Sequence, residues 1–115
     1  MSGRGRLAFA LALAAASLSV NAQEAASGVA PGANLVETGR KLYVSSCQRC
    51  HGINLVTNGI GFDLRTFPPH EKERFVRSVN QGLRAMPAWG GSLKAEQLEL
   101  IWVYVGSVNG WKATP

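Results

Sequence analysis

The segment CQRCH at residues 47–51 constrains this chain more than any other, because it contains both cysteines of the 115-residue sequence. Two cysteines are too few for a disulfide framework. A hydrophobic content of 46% excludes a disordered chain, and the 13 glycines follow no collagen-like period. A chain of this size buries only about 60–65% of its unfolded surface, so its core is expected to need a metal, a cofactor or a cross-link. The cysteine segment is the natural place for such reinforcement.

The spacing C-x-x-C-H is the pattern of covalent c-type haem attachment. Two thiols three positions apart on one turn can each add to one of the two vinyl groups on the same porphyrin edge. The imidazole of the next residue is then directed at the iron. We therefore predict that Cys47 and Cys50 bind the haem covalently and that His51 is an axial ligand of its iron.

The segment has three other interpretations. Cys47 and Cys50 could form a structural disulfide in an exported protein, or a thioredoxin-like redox pair, but the latter is expected near a βαβ pattern that this sequence lacks. With His51 and His70 the two cysteines would also make four zinc ligands. Adjacent ligands at 50 and 51 suit one tetrahedral ion poorly, and a second paired knuckle is absent. Haem is the favoured interpretation.

Met86 is the predicted sixth ligand of the iron. It is the only methionine among residues 23–115. It lies in the segment RAMPAW, on a Gly/Pro loop and not on an apolar helix face. A thioether is a soft ligand suited to haem iron, and His/Met ligation raises the reduction potential relative to two nitrogens. The alternative ligand is His70, after Phe-Pro-Pro, which would give two-histidine ligation and a lower potential.

The N-terminal residues 1–22 resemble a secretory signal peptide, with Arg4 and Arg6 before an apolar run and small residues at 20–22. The run is shorter than the ~20 residues of a membrane-spanning helix, although an uncleaved anchor is an alternative. The expected location is periplasmic, with no membrane span after signal removal. Removal changes the net charge from +5 to 10 − 7 = +3. Residues 23–33 predict a flexible leader, and residues 34–115 one domain.

Apolar periodicity predicts three helices and no strands, an all-α domain. The first covers residues 35–45, capped by Asn34 with Glu37 as capping-box partner. The second runs from residue 70 or 71 to 81, ends at Gly82, and carries a Glu73–Arg77 ion pair. The third covers 95–105, and residues 52–69 form a long irregular loop.

These residues together resemble the class I c-type cytochromes. The resemblance covers residues 35–108 and rests on GRKLY at 39–43, CQRCHG at 47–52, AMP at 85–87 and LIWVYV at 100–105. It implies an all-α cytochrome c fold, with three or more helices and long loops around one covalently bound haem c. It also implies that the first and last helices cross closely, with Gly39, Tyr43, Ile101 and Tyr104 at the crossing. The implied activity is electron transport, not catalysis.

Further segments are similar to small periplasmic cytochromes that serve quinoprotein (PQQ) alcohol dehydrogenases, and to the haem domains fused to some of those enzymes. They are CHGINLV at 50–56, FDLRTFP at 62–68 and MPAWG at 86–90. This resemblance implies a PQQ-dependent alcohol dehydrogenase as electron donor and a terminal oxidase or another cytochrome as acceptor. A monomer without nucleic-acid partners is expected. The alternatives are a haem subunit of a larger oxidoreductase, or a ligand-binding, peroxidase-like haem protein.

Three details stay open at this level. Arg65 is a candidate contact for a haem propionate, because a guanidinium matches a carboxylate bidentately, but it could equally be a solvated surface residue. Trp89 is expected to pack in the loop that carries Met86 and to help hold the thioether on the iron, but core filling alone is equally compatible with a tryptophan there. Many members of the family have a proline whose carbonyl accepts the axial histidine N–H, and residues 53–63 contain none, so the partner of His51 is unassigned.

Overall fold

The computed structural model describes residues 31–113 and residue 115. The predicted signal peptide and residues 23–30 of the predicted leader lie outside the described residues. Within the described part the chain forms four α-helices: α1 Pro31–Ser46, α2 Gln48–His51, α3 Lys72–Gln81 and α4 Ala95–Asn109. Two 3₁₀ turns lie at Ile53–Leu55 and Leu64–Thr66, and an isolated antiparallel bridge joins Leu83 to Met86. The all-α prediction is confirmed. None of these described helices is long and apolar enough to cross a membrane.

Helix α1 begins earlier than the sequence predicted. Asn34 is not its N-cap but lies inside the first turns, where its carbonyl accepts a hydrogen bond from the Thr38 hydroxyl at 2.8 Å. Glu37 does not complete a capping box, since its carboxylate accepts two hydrogen bonds from Arg40 at 2.7 and 2.8 Å. Pro31 has a backbone preset for the first turn of a helix. Residues 31–33, assigned to the leader from sequence, are therefore helical.

Helix α3 matches its predicted span closely but not its predicted ion pair. It starts at Lys72 and ends at Gly82, whose φ of 76° is readily reached only by glycine. Among the described residues Glu73 and Arg77 do not form a salt bridge. Arg74 instead pairs with Glu71, one turn back and just before the helix. The i,i+4 spacing of Glu73 and Arg77 was compatible with an ion pair. The pair that forms instead joins Arg74 to Glu71 at i,i+3.

Helix α4 extends four residues beyond its predicted end at Val105. Gly106 is a weak helix former but lies inside the helix, at the position over which the chain beyond Gly110 folds back. The helix ends at Gly110 in the left-handed conformation, and the Trp111 amide donates to the Gly106 carbonyl at 3.0 Å. A side chain at Gly106 would press on Trp111, which explains the glycine.

The crossing of α1 and α4 is the centre of the fold. A Cβ atom built on Gly39 would overlap the carbonyl oxygen of Leu100, so the two backbones touch there. On either side, Tyr43 packs on Tyr104 with ring centroids 5.1 Å apart, and Ile101 is 1% exposed. The close crossing expected from sequence is confirmed. It fixes the C-terminal end of α1, from which the cysteine segment continues.

A cluster of aromatic rings attaches α3 and the preceding loop to α4. Phe67 meets Phe75 and Trp102 edge-to-face, at centroid distances of 5.9 Å each. Trp102 lies 4.7 Å from Trp111, and the Arg74 guanidinium covers the Phe67 ring at 4.4 Å. Edge-to-face rings and a cation over a ring face are favourable arrangements. The cluster orients α3, which leads into the loop that carries Met86.

Candidate functional site

The short helix α2 places the three residues of the predicted haem motif on one turn. The Cys47 amide donates to the Tyr43 carbonyl at 2.8 Å, so the segment is continuous with the end of α1. The amides of Cys50 and His51 both donate to the Cys47 carbonyl, at 3.1 and 3.0 Å. Cys47 is half-buried against the core, whereas Cys50 is exposed. Two sulfur atoms and an imidazole therefore project from a single turn at the surface of the core.

The thiols differ from those of a redox C-x-x-C pair. No disulfide bond joins Cys47 and Cys50. Burial, with a smaller contribution from the charge of Cys50, raises the pKa of the Cys47 thiol to about 11. Thioredoxin-like pairs need a lowered pKa, because the thiolate is the nucleophile. This environment does not favour thiol exchange.

Zinc coordination is not supported by the described residues. Among them, no group of three or more histidine, cysteine, aspartate or glutamate side chains is placed to hold a metal ion. His70 does not join the cysteine segment, since its imidazole is exposed beside the Glu71 carboxylate at 4.0 Å.

The imidazole of His51 has the hydrogen-bond partner that the sequence left unassigned. Its Nδ1 lies 2.8 Å from the carbonyl oxygen of Phe62. Because a carbonyl can only accept, Nδ1 carries the proton and donates it. The other ring nitrogen, Nε2, is then unprotonated and is the atom that can bind a metal. A backbone carbonyl at residue 62 thus takes the place of the proline carbonyl that this sequence lacks.

The loop before Phe62 folds over α2 through hydrogen bonds that sequence reasoning missed. The Gly61 amide donates to the Cys50 carbonyl at 2.8 Å, and the Thr57 hydroxyl donates to the Gly61 carbonyl at 2.8 Å. The Asn58 amide group donates to the Arg49 carbonyl at 3.0 Å. The string Thr-Asn-Gly, typical of tight turns, was the available sequence signal. Such a string is typical of a turn but does not indicate what the turn contacts.

A buried tyrosine of α1 holds the backbone of Gly52, the residue after His51. The Tyr43 hydroxyl donates to the Gly52 carbonyl at 2.6 Å, and Tyr43 is fully buried. Burial raises the pKa of the Tyr43 hydroxyl, which therefore stays protonated and donating at neutral pH. Next along the chain, Asn54 and Leu55 have φ of 51° and 64°, and the Tyr104 hydroxyl donates to Asn54 Oδ1 at 3.3 Å. Both tyrosines of the helix crossing thus anchor the segment that follows the motif.

Met86 lies on a tight turn after α3. Its amide donates to the Leu83 carbonyl at 3.0 Å, and the Leu83 amide donates to the Met86 carbonyl at 3.1 Å. The turn requires Arg84 at φ 54°, and its base is closed by Gly82, where a Cβ would lie 2.8 Å from the Met86 carbonyl oxygen. The Met86 side chain is partly buried against the core.

Trp89 ties the other end of this loop to α3. Its amide donates to the Val79 carbonyl at 2.9 Å, and the Gly90 amide donates to the Asn80 carbonyl at 3.2 Å. The Trp89 carbonyl in turn accepts from the amides of Ser92 and Leu93, at 2.8 Å each. Its side chain is half-buried against the core. Met86 is therefore fixed by its loop on both sides.

Arg65 is engaged within its own turn. Its guanidinium donates to both carboxylate oxygens of Asp63, at 3.0 and 2.8 Å, and its backbone amide donates to Asp63 Oδ1 at 3.0 Å. The hydrogen bond from Arg65 lowers the pKa of Asp63. Asp63 therefore takes two of the five N–H donors of this guanidinium, and a contact with a propionate stays a prediction.

The donor atoms on the turn 47–51 and on the Met86 loop are of the kinds that bind a haem. The turn 47–51 offers two thiols and an imidazole whose Nε2 is left unprotonated by the Nδ1 hydrogen bond. A thioether is presented by a second loop, whose Met86 and Trp89 side chains pack against the same core. Sulfur and imidazole donors in this combination are those of haem attachment and ligation.

Comparison with known proteins agrees with the geometry. Residues 34–105 match the family model described as "Cytochrome C oxidase, cbb3-type, subunit III". The chain is 37% identical over 75 residues to the quinohemoprotein alcohol dehydrogenase ADH IIB of Pseudomonas putida, which covers 63% of this chain but 11% of that enzyme. It is 35% identical over 82 residues to the cytochrome c6 of Aphanizomenon flos-aquae, covering 65% of this chain and 94% of that protein.

A second dehydrogenase, ADH-IIG of Pseudomonas putida, is 33% identical over 72 residues, which are 61% of this chain and 10% of the enzyme. The match thus spans about a tenth of the dehydrogenases but nearly the whole cytochrome c6. No solved structure matches the chain significantly. From its motif, its helical fold and these relatives, the chain belongs to the monohaem c-type cytochromes and carries one covalently bound haem c.

Proposed function

We propose that this cytochrome carries single electrons at a haem c bound by Cys47 and Cys50, with His51 and Met86 as the axial ligands. Haem c supplies a one-electron couple when it is bound. The observation that carries the assignment is the hydrogen bond from His51 Nδ1 to the Phe62 carbonyl, at 2.8 Å. It fixes the tautomer in which Nε2 can bind iron, on the same turn as the two thiols.

The protein's part in this function is to hold both ligands still. Nδ1 of His51 is hydrogen-bonded to the Phe62 carbonyl, and Met86 is presented by a turn fixed between Gly82 and Trp89. A ligand set that moves little between oxidation states favours rapid electron exchange. With both axial positions taken, no position is left for a substrate, which supports a carrier over a peroxidase-like protein.

Substitution of Met86 tests the ligand assignment. We expect Met86→Ala to lower the midpoint potential by on the order of 0.1 V, within the ≈ 0.8 V range that axial ligands span. The loss of the thioether should also open the sixth position, so that the ferrous protein binds carbon monoxide rapidly. Potentiometry and carbon monoxide titration measure the two effects.

The matched control is Leu83→Ala, which lies in the same turn with its side chain 59% exposed. This variant should keep the parent potential and should not bind carbon monoxide. If Met86→Ala keeps both properties as well, Met86 is not the ligand, and His70→Ala becomes the next variant to examine.

For the partner, we propose that a PQQ-dependent alcohol dehydrogenase reduces this cytochrome in the periplasm and that a terminal oxidase or another cytochrome reoxidises it. The similarity to the haem-containing segments of ADH IIB and ADH-IIG supports the donor. The export-type N-terminal sequence supports the location. In this proposal the dehydrogenase is a separate protein. The alternative is that this chain is a haem subunit of a larger oxidoreductase.

Stopped-flow reduction by a purified, haem-free quinoprotein alcohol dehydrogenase tests the donor. We expect reduction to be faster than dehydrogenase turnover and to require the alcohol substrate. Reduction slower than turnover would contradict the assignment, and co-purification of the chain in a stable dehydrogenase complex would favour the subunit.

A further inference from the structure

The backbone carbonyl that accepts from His51 belongs to Phe62, whose ring packs edge-to-face on Phe67 at a centroid distance of 6.3 Å. The residue before it, Gly61, is hydrogen-bonded to the haem motif itself. The chain before Phe62 therefore contributes directly to the position of its carbonyl. That chain is the segment 57–62, Thr-Asn-Gly-Ile-Gly-Phe, which we call the histidine bracket.

Gly61 brings the histidine bracket against the motif. A Cβ atom at this position would lie 2.7 Å from the Cys50 carbonyl oxygen and 2.8 Å from His51 Nδ1. Side-chain carbons do not approach polar atoms so closely, so any other residue would push the bracket off the imidazole. The requirement is one of space, because φ of Gly61 is not in the left-handed region.

Thr57 closes the histidine bracket on itself. Its hydroxyl donates to the Gly61 carbonyl at 2.8 Å and accepts from the Gly59 amide at 3.1 Å. The Gly61 amide is bonded to the Cys50 carbonyl at 2.8 Å. Both polar groups of Gly61 are thus fixed, one by the motif and one by Thr57, immediately before the carbonyl that His51 uses.

From this arrangement we propose that Thr57 and Gly61 are positioning residues for His51, and that the Thr57 hydroxyl sets the strength of the His51–Phe62 hydrogen bond. The inference rests on the proposed function, in which His51 is an axial ligand. A stronger bond from Nδ1 makes the imidazole a better donor and stabilises the oxidised iron. A loosened histidine bracket therefore raises the reduction potential.

The test compares Thr57→Val, which removes the hydroxyl at nearly constant shape, with Thr57→Ser, which keeps it. In Thr57→Val we expect the ratio of reduced to oxidised protein at a fixed applied potential to rise about threefold, or about 28 mV at 59 mV per tenfold for a one-electron couple. Thr57→Ser should restore the parent ratio. Gly61→Ala should shift the ratio in the same direction as Thr57→Val.

Thr66→Val is the matched control. The Thr66 hydroxyl also donates to a backbone carbonyl at 2.8 Å, but that carbonyl belongs to Asp63, outside the histidine bracket. This variant should keep the parent ratio, so a general loss of stability is separated from an effect on His51. Equal ratios in Thr57→Val and the parent protein would overturn the proposal.

A measurement on the parent protein covers the case in which Thr57→Val does not mature. In the reduced, diamagnetic state the His51 Nδ1 proton should exchange slowly with solvent and show NOEs to Gly61 and Phe62 α-protons. Fast exchange and no such NOE would overturn the inference. Failure of the proposed function is distinguishable, because the parent protein would then lack a low-spin His/Met spectrum.

Discussion

Gly39 lies where the backbones of α1 and α4 touch. A Cβ atom there would overlap the carbonyl oxygen of Leu100 and approach Tyr104 Cβ at 3.0 Å. Neither neighbour can move freely, because Leu100 is within a helix and Tyr104 packs on Tyr43 at 5.1 Å. The absence of a side chain at Gly39 therefore allows the tyrosine pair to form. The two tyrosines in turn anchor the segment after His51.

Gly39→Ala should destabilise the protein although alanine is the better helix former. Alanine gains about 1 kcal/mol of helix propensity over glycine. Forcing a methyl group into a closed contact typically costs about 1–3 kcal/mol and more where backbone opposes it. We expect a net loss of about 1–2 kcal/mol in the free energy of unfolding of the haem protein. Guanidinium unfolding monitored by circular dichroism measures it.

Gly32→Ala provides the comparison within the same helix, since a Cβ at Gly32 meets nothing within 4 Å. That variant should be unchanged or slightly more stable than the parent. Equal stabilities of the two variants would show that the α1–α4 contact is not limiting at Gly39.

At the scale of elements, the helices follow from the sequence and their ends do not. The apolar stripes predicted α3 and α4 because burial of one face determines whether such a segment is helical. The ends depend on single residues: Pro31 begins α1 ahead of Asn34, and Gly106 stays helical because Trp111 folds back over it. Such contacts carry no periodic signal.

At the site, too, the local turn follows from the sequence, whereas the contacts between distant residues do not. The turn 47–51 is predicted from its spacing alone, because local chemistry dictates where the thiols and the imidazole must lie. Phe62 could not be assigned as the partner of His51, since its contribution is a backbone carbonyl, which every residue has. The hydrogen bond between Thr57 and Gly61 could not be predicted either, because a hydroxyl–carbonyl bond across a loop has no fixed sequence spacing.

Surface ion pairs were the least predictable feature. The i,i+4 pair expected between Glu73 and Arg77 did not form in the described helix, whereas Glu71 and Arg74 paired at i,i+3. Such exposed pairs contribute roughly 0–1 kcal/mol, so several arrangements are nearly equal in energy. A sequence pattern cannot choose between alternatives that differ so little.

Over the whole described molecule, two units are held with unequal strength. Helices α1 and α4 interlock through backbone contact and buried tyrosines. Helix α3 and the loop 82–93 attach through the aromatic cluster and a salt bridge from Lys72 to Glu99. In that loop residues 83–85 and 87–88 are exposed. Regions with few buried contacts and exposed backbone bonds open at a lower free energy than the core.

Native-state hydrogen exchange should therefore separate the two units. In the reduced haem protein at low guanidinium concentration, we expect the amides of Ile101 and Tyr104 to exchange with the free energy of global unfolding. The amides of Met86 and Trp89, bonded to Leu83 and Val79, should exchange at a lower free energy and with a smaller denaturant dependence. NMR of individual amides gives both quantities.

This ordering has a chemical consequence for the proposed ligand set. If the Met86 loop opens while α1 and α4 stay folded, the thioether is released from the iron without unfolding, and added imidazole can bind to the oxidised protein. At saturating imidazole the binding rate should then be faster than the rate of global unfolding of the oxidised protein. A single free energy for all four amides, with imidazole binding only at the global unfolding rate, would mean that the chain opens as one unit.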